Sequence, residues 1–229
     1  MTTSSKPKKT VRDKRLDHFA WMANRSFANH KITTNFRNEV EQFEYIRNSD
    51  GETVLVSTAR LNGSWRCCPP KSFANGFNIT HEPGRMIVTG DVGDLIVERA
   101  NNMISWCRGS VRSIDYFAEK VPQSITTTEY SGDVAKEWFR DEIRDCIEWG
   151  HDRDHRLKLI EVYREIEAEG SWDDEHETVN KIYGNALCEG GDFPDLTVFN
   201  ANFMWCREAV RWFVERIDNS GRLLEAAAT

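Results

Sequence analysis

Residues 86–99, MIVTGDVGDLIVER, indicate the fold class, because two short apolar runs flank a loop built of turn residues. Residues 86–89 and 95–99 are rich in the β-branched side chains that strands favour. Gly90 and Gly93 in the loop permit the positive φ angles that a tight connection needs. The stretch therefore predicts an antiparallel β-hairpin.

A second hairpin is predicted nearer the N-terminus. Residues 43–47 and 52–58 alternate or run apolar, and Asn-Ser-Asp-Gly at 48–51 supplies turn chemistry between them. Residues 77–80 predict one further strand.

Beyond residue 101 the apolar period changes from 2 to 3.6, which predicts helices. Predicted helical segments lie near 114–121, 133–150, 155–169 and 175–187. The clearest apolar stripe comes last and consists of Phe199, Phe203, Cys206, Val210, Phe213 and Ile217. Strands followed by helices predict an α+β fold, with antiparallel hairpins in the N-terminal half packed with a C-terminal layer of amphipathic helices.

The same patterns predict the domain organisation. Residues 1–15 are expected to form a disordered basic tail, and residues 221–229 a flexible C-terminus. An α+β region at 16–125 and a helical region at 126–220 are expected to form one continuous globular unit.

Composition excludes several classes of protein. Among 229 residues, 39% are hydrophobic and 11% aromatic, which is enough for a folded core. No apolar run is long enough for a transmembrane helix, and the first 15 residues do not resemble a secretory signal peptide. A cytoplasmic protein without a membrane partner is therefore expected.

Charge is distributed unevenly along the chain. The net charge is −7, but the first 15 residues carry six basic side chains and one acidic one, which leaves −12 on the rest. An acidic body disfavours direct binding of nucleic acid, except through the basic tail.

The cysteine spacing favours neither a zinc ribbon nor a redox motif. Six cysteines are present without any C-x-x-C pair, although Cys67 and Cys68 are adjacent. Neither a cofactor nor a structural metal is predicted from this spacing. Glycine-rich phosphate loops between a strand and a helix are also missing from the sequence, so the Rossmann and P-loop patterns are excluded.

One polar cluster could serve a metal-dependent hydrolase or nuclease. Two imidazoles four residues apart can share a helix face, and carboxylates between them can add ligands. The candidate ligands are His151, Asp152, Asp154 and His155. The same residues also fit a solvated corner between two helices without a metal, because Gly150 precedes them and glycine commonly ends a helix.

Other residues are candidates for contact with a partner, because Trp and Arg dominate binding hot spots. Three strings place a tryptophan beside or near an arginine, and Arg85, Asp91 and Asp94 lie in or beside the 86–99 hairpin. The interaction candidates are Trp65, Arg66, Arg85, Asp91, Asp94, Trp106, Arg108, Trp205 and Arg207. Arg66, Arg85 and Arg108 could alternatively face the phosphates of a nucleotide signal.

Four strings of this chain resemble a family of tailed-bacteriophage and prophage proteins that has no assigned activity. They are residues 65–68 (WRCC), 84–94 (GRMIVTGDVGD), 113–121 (SIDYFAEKV) and 204–206 (MWC). The resemblance implies a bacterial cytoplasm during infection and carries over no catalytic residue.

The leading functional hypothesis is therefore a phage accessory protein that binds a host protein or defence complex and inhibits or redirects it by occupancy. The alternatives are the metal-dependent hydrolase and a protein that sequesters a nucleotide signal. A homo-oligomer is compatible with the sequence.

Overall fold

The computed structural model describes residues 9–47, 53–72, 74–148, 153–168 and 195–224, with side chains described outside 39–60. Within these ranges the chain has an antiparallel sheet in its N-terminal half and helices in its C-terminal half. The predicted α+β class is confirmed.

Five strands form one sheet in which each strand pairs with the next along the chain. The strands are β1 (Lys31–Arg47), β2 (Thr53–Cys68), β3 (Phe77–Glu82), β4 (Arg85–Gly90) and β5 (Leu95–Glu98). Both predicted hairpins are confirmed as the antiparallel pairs β1–β2 and β4–β5. The predicted turn at 48–51 lies outside the described residues. β1 and β2 are much longer than the sequence pattern indicated, because polar residues at 31–42 continue β1.

Six helices and a second, two-stranded sheet are the other elements of the described residues. The helices are α1 (Val11–Ser26), α2 (Met103–Ser110), α3 (Ile114–Ala118), α4 (Gly132–Glu148), α5 (Arg153–Ala168) and α6 (Ala201–Val214). The short strands β6 (Thr128–Tyr130) and β7 (Thr197–Phe199) pair antiparallel. The predicted helix at 175–187 lies outside the described residues. None of the described helices has the length and apolar character needed to cross a bilayer.

The chain divides into two compact units, and the division differs from the predicted single unit. The sheet unit comprises Asp17–Thr127 and Asn200–Thr229, and the helical-hairpin unit comprises Met1–Leu16 and Thr128–Phe199. The β6–β7 pairing explains the boundaries, because it draws the two ends of the inserted segment together. α4 and α5 therefore belong to a different unit from the five-stranded sheet.

The sheet unit has a core between β3–β5 and the helices α2 and α6. Alternate residues of each short strand are buried, as the period of 2 requires. Phe203 and Phe213 of α6 are both fully buried, as the apolar stripe predicted. The helix itself is shorter than the stripe: Phe199 lies in β7, and Ile217 follows the last turn of α6.

The helical-hairpin unit has its own apolar core between α4 and α5. Its buried members are Ala135, Phe139, Cys146, Leu159, Val162, Ile166 and Leu196. Cys146 thus lies on a buried helix face, where the thiol contributes as a small apolar group.

Residues 10–15, which the sequence assigned to a disordered tail, make specific contacts in this unit. Thr10 and Asp13 hydrogen-bond reciprocally, Thr10 N–H to Asp13 Oδ2 at 3.0 Å and Asp13 N–H to Thr10 Oγ1 at 3.1 Å, and so cap the start of α1. Arg12 pairs with Asp195 at 2.8 Å, and Arg15 pairs with Glu129. Carboxylates across the unit therefore hold the basic segment that composition alone assigned to solvent.

The start of the C-terminal segment also makes specific contacts. Gly221 is buried beside the ring of Trp65, and Leu223 bridges to Ile217. The segment predicted to be flexible thus begins with contacts at residues 221–224, and residues 225–229 lie outside the described part of the chain.

Candidate functional site

The β1–β2 hairpin extends well past the rest of the sheet. β3 pairs with β2 only at residues 63–67. From Asn38–Asn62 to Arg47–Thr53, ten consecutive pairs join β1 to β2 alone among the described strands. We call residues 38–47 with 53–62 the arm. At the rise of a β-strand, ten pairs span about 30 Å.

A two-stranded ribbon of this length lacks the packing that usually stabilises strands. An isolated hairpin is marginally stable in water, and independent stability normally needs a third strand or a packed helix. Both outer edges of the arm also present backbone N–H and C=O groups that pair with no other described strand. Such edges are templates for pairing with another chain.

The base of the arm is firmly built into the sheet unit. A register shift between Thr34 and Phe36 leaves Asn35 without an opposite residue, which is a β-bulge. Asn35 Nδ2 donates to Ser64 Oγ at 3.3 Å, and an Arg37 guanidinium nitrogen donates to the Ser220 carbonyl at 3.0 Å. A bulge bends and twists its strand, so this bulge sets the direction in which the arm leaves the sheet.

Trp65 anchors the arm base from inside the core rather than contacting a partner. Its side chain is fully buried, its Nε1–H donates to the Gly221 carbonyl at 3.2 Å, and its ring lies 5.2 Å from that of Phe213. A Cβ on Gly63 would come within 2.3 Å of the same ring, so glycine is required there. The interpretation of Trp65 as a surface hot spot is corrected, whereas its neighbour Arg66 points to the exposed face.

The arginine of the second string has a structural partner. Arg108 Nε and Nη2 donate to the Val214 carbonyl at 3.2 and 3.1 Å, and the guanidinium also reaches Ile217 and Asn219. It therefore satisfies carbonyls at the C-terminal end of α6. Trp106 is half-buried and stacks on Phe117 with 5.9 Å between the ring centroids.

The third string likewise faces inward in part. Trp205 is half-buried, 5.9 Å from the rings of Phe19 and Phe27. Arg207 pairs with the buried carboxylate of Glu208 at 2.8 Å, and burial lowers the pKa of its guanidinium. Arg211 pairs with the other oxygen of Glu208 at 2.6 Å. These residues form an ion cluster within the sheet unit, and sequence periodicity gave no signal for it.

The remaining interaction candidates lie on the β4–β5 hairpin. Arg85 Nε donates to Glu98 Oε1 at 2.7 Å across the strands. Asp91 and Asp94 are exposed in the turn, where the backbone N–H of Asp94 donates to Asn202 Oδ1 at 3.1 Å and Asn202 Nδ2 donates back to the Asp94 carbonyl at 3.0 Å. The backbone of Asp94 thus joins the turn to α6, and the carboxylates of Asp91 and Asp94 lie on the exposed surface.

The helical-hairpin unit brings together a group of possible metal ligands. Glu142 and Cys146 of α4 and His155 of α5 have donor atoms that all lie within 4.8 Å of one another. Of the predicted cluster, His155 joins this group and Asp154 is exposed beside it, whereas His151 and Asp152 lie outside the described residues. Sequence spacing missed the group because only the folding of α5 against α4 unites its members.

Comparison of the chain with family models, curated proteins and solved structures found no match. The likeness to phage proteins therefore remains a resemblance of short strings.

Proposed function

We propose that this chain is a phage-encoded accessory protein that binds a host protein in the bacterial cytoplasm and inhibits or redirects it by occupying a surface. The arm is the contact element. The observation that carries the proposal is the run of ten β1–β2 pairs that no third described strand covers.

The chemistry of an uncovered ribbon supports pairing with a strand of the partner. In β-augmentation, main-chain hydrogen bonds supply affinity and alternate side chains supply specificity. The register opposes Tyr45 to Leu55 and Ile46 to Val54 near the tip, so residue types that favour strands occupy both chains of the ribbon. A partner strand added at either edge would give the arm the third strand that a stable sheet needs.

Charge supports the choice of partner surface. The chain carries a net charge of −7, and −12 beyond its first 15 residues. Long-range attraction therefore favours an encounter with a basic protein surface, such as the groove of a nucleic-acid-binding defence complex. The encounter should weaken as salt screens it.

The nucleotide-sequestering alternative receives less support from the geometry. Its candidate cations Arg85 and Arg108 are already engaged, Arg85 with Glu98 and Arg108 with backbone carbonyls around the end of α6. Binding a phosphate there would first have to displace these partners, and a carbonyl left without its donor costs free energy.

The first test shortens the arm without touching the sheet. Replacing residues 40–60 with Asn-Gly joins Glu39 to Leu61, a cross-strand pair, through a two-residue hairpin turn. We expect this variant to keep the circular dichroism and melting behaviour of the wild-type protein, because the described strand residues of the removed segment pair only with each other. Binding to the host partner should be lost.

The second test identifies the partner by photocrosslinking in infected cells. A photoreactive amino acid at positions 42 and 43 samples both faces of β1, because successive side chains alternate. Position 158 on the exposed side of α5 is the control. One host protein should crosslink at 42 or 43 and not at 158. Equal capture of the same protein from position 158 would contradict the assignment of the arm.

A further inference from the structure

We propose that Glu142, Cys146 and His155 bind a single zinc ion that fastens α4 to α5 at the ends joined by residues 149–152. The inference is independent of partner binding by the arm, since the three residues belong to the helical-hairpin unit.

Helix geometry places two of the ligands. Glu142 and Cys146 are four residues apart on α4, so they lie on one face of the helix, one turn above the other. His155 is the third residue of α5, and α5 packs on α4 through the core that includes Cys146 itself. The imidazole therefore approaches the α4 face from the neighbouring helix.

The distances suit a tetrahedral ion. All three donor atoms lie within 4.8 Å of one another. At zinc–sulfur and zinc–nitrogen bond lengths of about 2.3 and 2.0 Å, tetrahedral ligand atoms are about 3.5 Å apart. Rotation about side-chain torsions covers this difference, and a water molecule would complete the tetrahedron.

The donor set selects the ion class. A thiolate and an imidazole with one carboxylate are ligands of zinc and of related borderline ions, whereas Mg²⁺ and Ca²⁺ take oxygen alone. Thiolate and carboxylate together would carry two negative charges, which balance one dication. Asp145 adds a further negative charge nearby, and Arg156 opposes it.

The test uses Co²⁺ as a spectroscopic probe on metal-free, reduced full-length protein. One equivalent should produce a thiolate-to-cobalt charge-transfer band that Zn²⁺ then displaces. Cys146→Ser and His155→Gln should each remove the band or weaken Co²⁺ binding at least tenfold. Glu142→Gln should also weaken Co²⁺ binding. Zn²⁺ should raise the melting temperature of the wild-type protein and leave those of Cys146→Ser and His155→Gln unchanged.

Two matched controls make the result specific. Cys68→Ser removes a half-buried thiol of the sheet unit, and Asp154→Asn alters the exposed neighbour of His155; both should keep the band. His155 is only half-buried, so His155→Gln remains informative if Cys146→Ser does not fold. A wild-type protein without the band, or a band retained in both Cys146→Ser and His155→Gln, would overturn the site.

Discussion

The Nε2 atom of His81 accepts the backbone N–H of Met103 at 2.9 Å, while its Nδ1 atom lies 2.6 Å from the Leu61 carbonyl. Nδ1 must therefore carry the proton, and the ring is neutral. Through this fully buried ring, β3 is joined both to β2 and to the first residue of α2.

His81 should make the stability of the protein depend on pH. Burial lowers the pKa of His81, and the hydrogen bond to Leu61 opposes this only in part. Below a pH of about 6.5 the unfolded chain binds a proton at this histidine, whereas the native ring stays neutral. The free energy of unfolding therefore decreases as the pH is lowered, until native His81 is protonated as well. Urea unfolding with chelator from pH 8 to 5 measures the loss.

His81→Gln should flatten the dependence on pH between about 6.5 and the native pKa of His81. His18→Gln, on the exposed face of α1, is the control and should keep the wild-type profile. An unchanged slope in His81→Gln would show that another group controls acid sensitivity.

Glu208 should be essential for the stability of the sheet unit. Its carboxylate is 2% exposed and is held between Arg207 and Arg211. Glu208→Ala removes the carboxylate that these two half-buried guanidinium groups share, which costs on the order of 3–5 kcal/mol of unfolding free energy. The matched control is Glu215→Ala on the exposed side after α6, where the change should stay within about 0.5 kcal/mol. Equal urea midpoints for both variants would show that the buried pair is dispensable.

Gly93 should tolerate no side chain, for two separate reasons. Its φ is +106°, and a Cβ would lie 1.7 Å from Asn202 Oδ1. Gly93→Ala should therefore strain the backbone and also bring the new Cβ into a clash with Asn202. Moving Asn202 away would break its hydrogen bonds to Asp94. Gly84→Ala isolates the strain, because Gly84 has φ +84° and open space around its Cα. We expect Gly84→Ala to cost about 1–2 kcal/mol and Gly93→Ala clearly more in urea unfolding; the reverse order would contradict the close contact with α6.

Thr10 should stabilise the start of α1. Thr10→Ala removes the hydroxyl that accepts the Asp13 N–H, and loss of such a cap costs about 1 kcal/mol. Thr10→Ser keeps the hydroxyl and serves as the control. Hydrogen exchange of the amides of residues 13–15 is the readout. Similar exchange in Thr10→Ala and Thr10→Ser would support the tail as a free segment.

The local part of the fold was predictable, and the long-range part was not. Alternating runs around Gly90 and Gly93 located the β4–β5 hairpin, and the stripe through Phe203 and Phe213 located the core face of α6. The polar β1 carries no period-2 apolar signal at 31–42, so its full length depends on pairing with β2. Neither the β6–β7 pairing nor the division into two units has a signature within one segment.

The candidate sites show the same limit. Residue type identified Trp65 and Arg108 as hot-spot candidates, but tertiary packing gave them structural partners in Gly221 and Val214. The reverse holds for Glu142 and Cys146. Their i, i+4 spacing alone does not indicate a metal site, and only the folded structure places His155 of α5 beside them.

The most direct test of binding by occupancy uses the host target that crosslinking identifies, purified without crosslinks. This protein is titrated into it while the activity of the target is measured. The proposal predicts inhibition that saturates near one protomer per binding site and no inhibition by the variant with residues 40–60 replaced by Asn-Gly. Complete loss of target activity at a hundredfold substoichiometric dose, increasing with time, would mean turnover, and full inhibition by the shortened variant would exclude the arm as the contact.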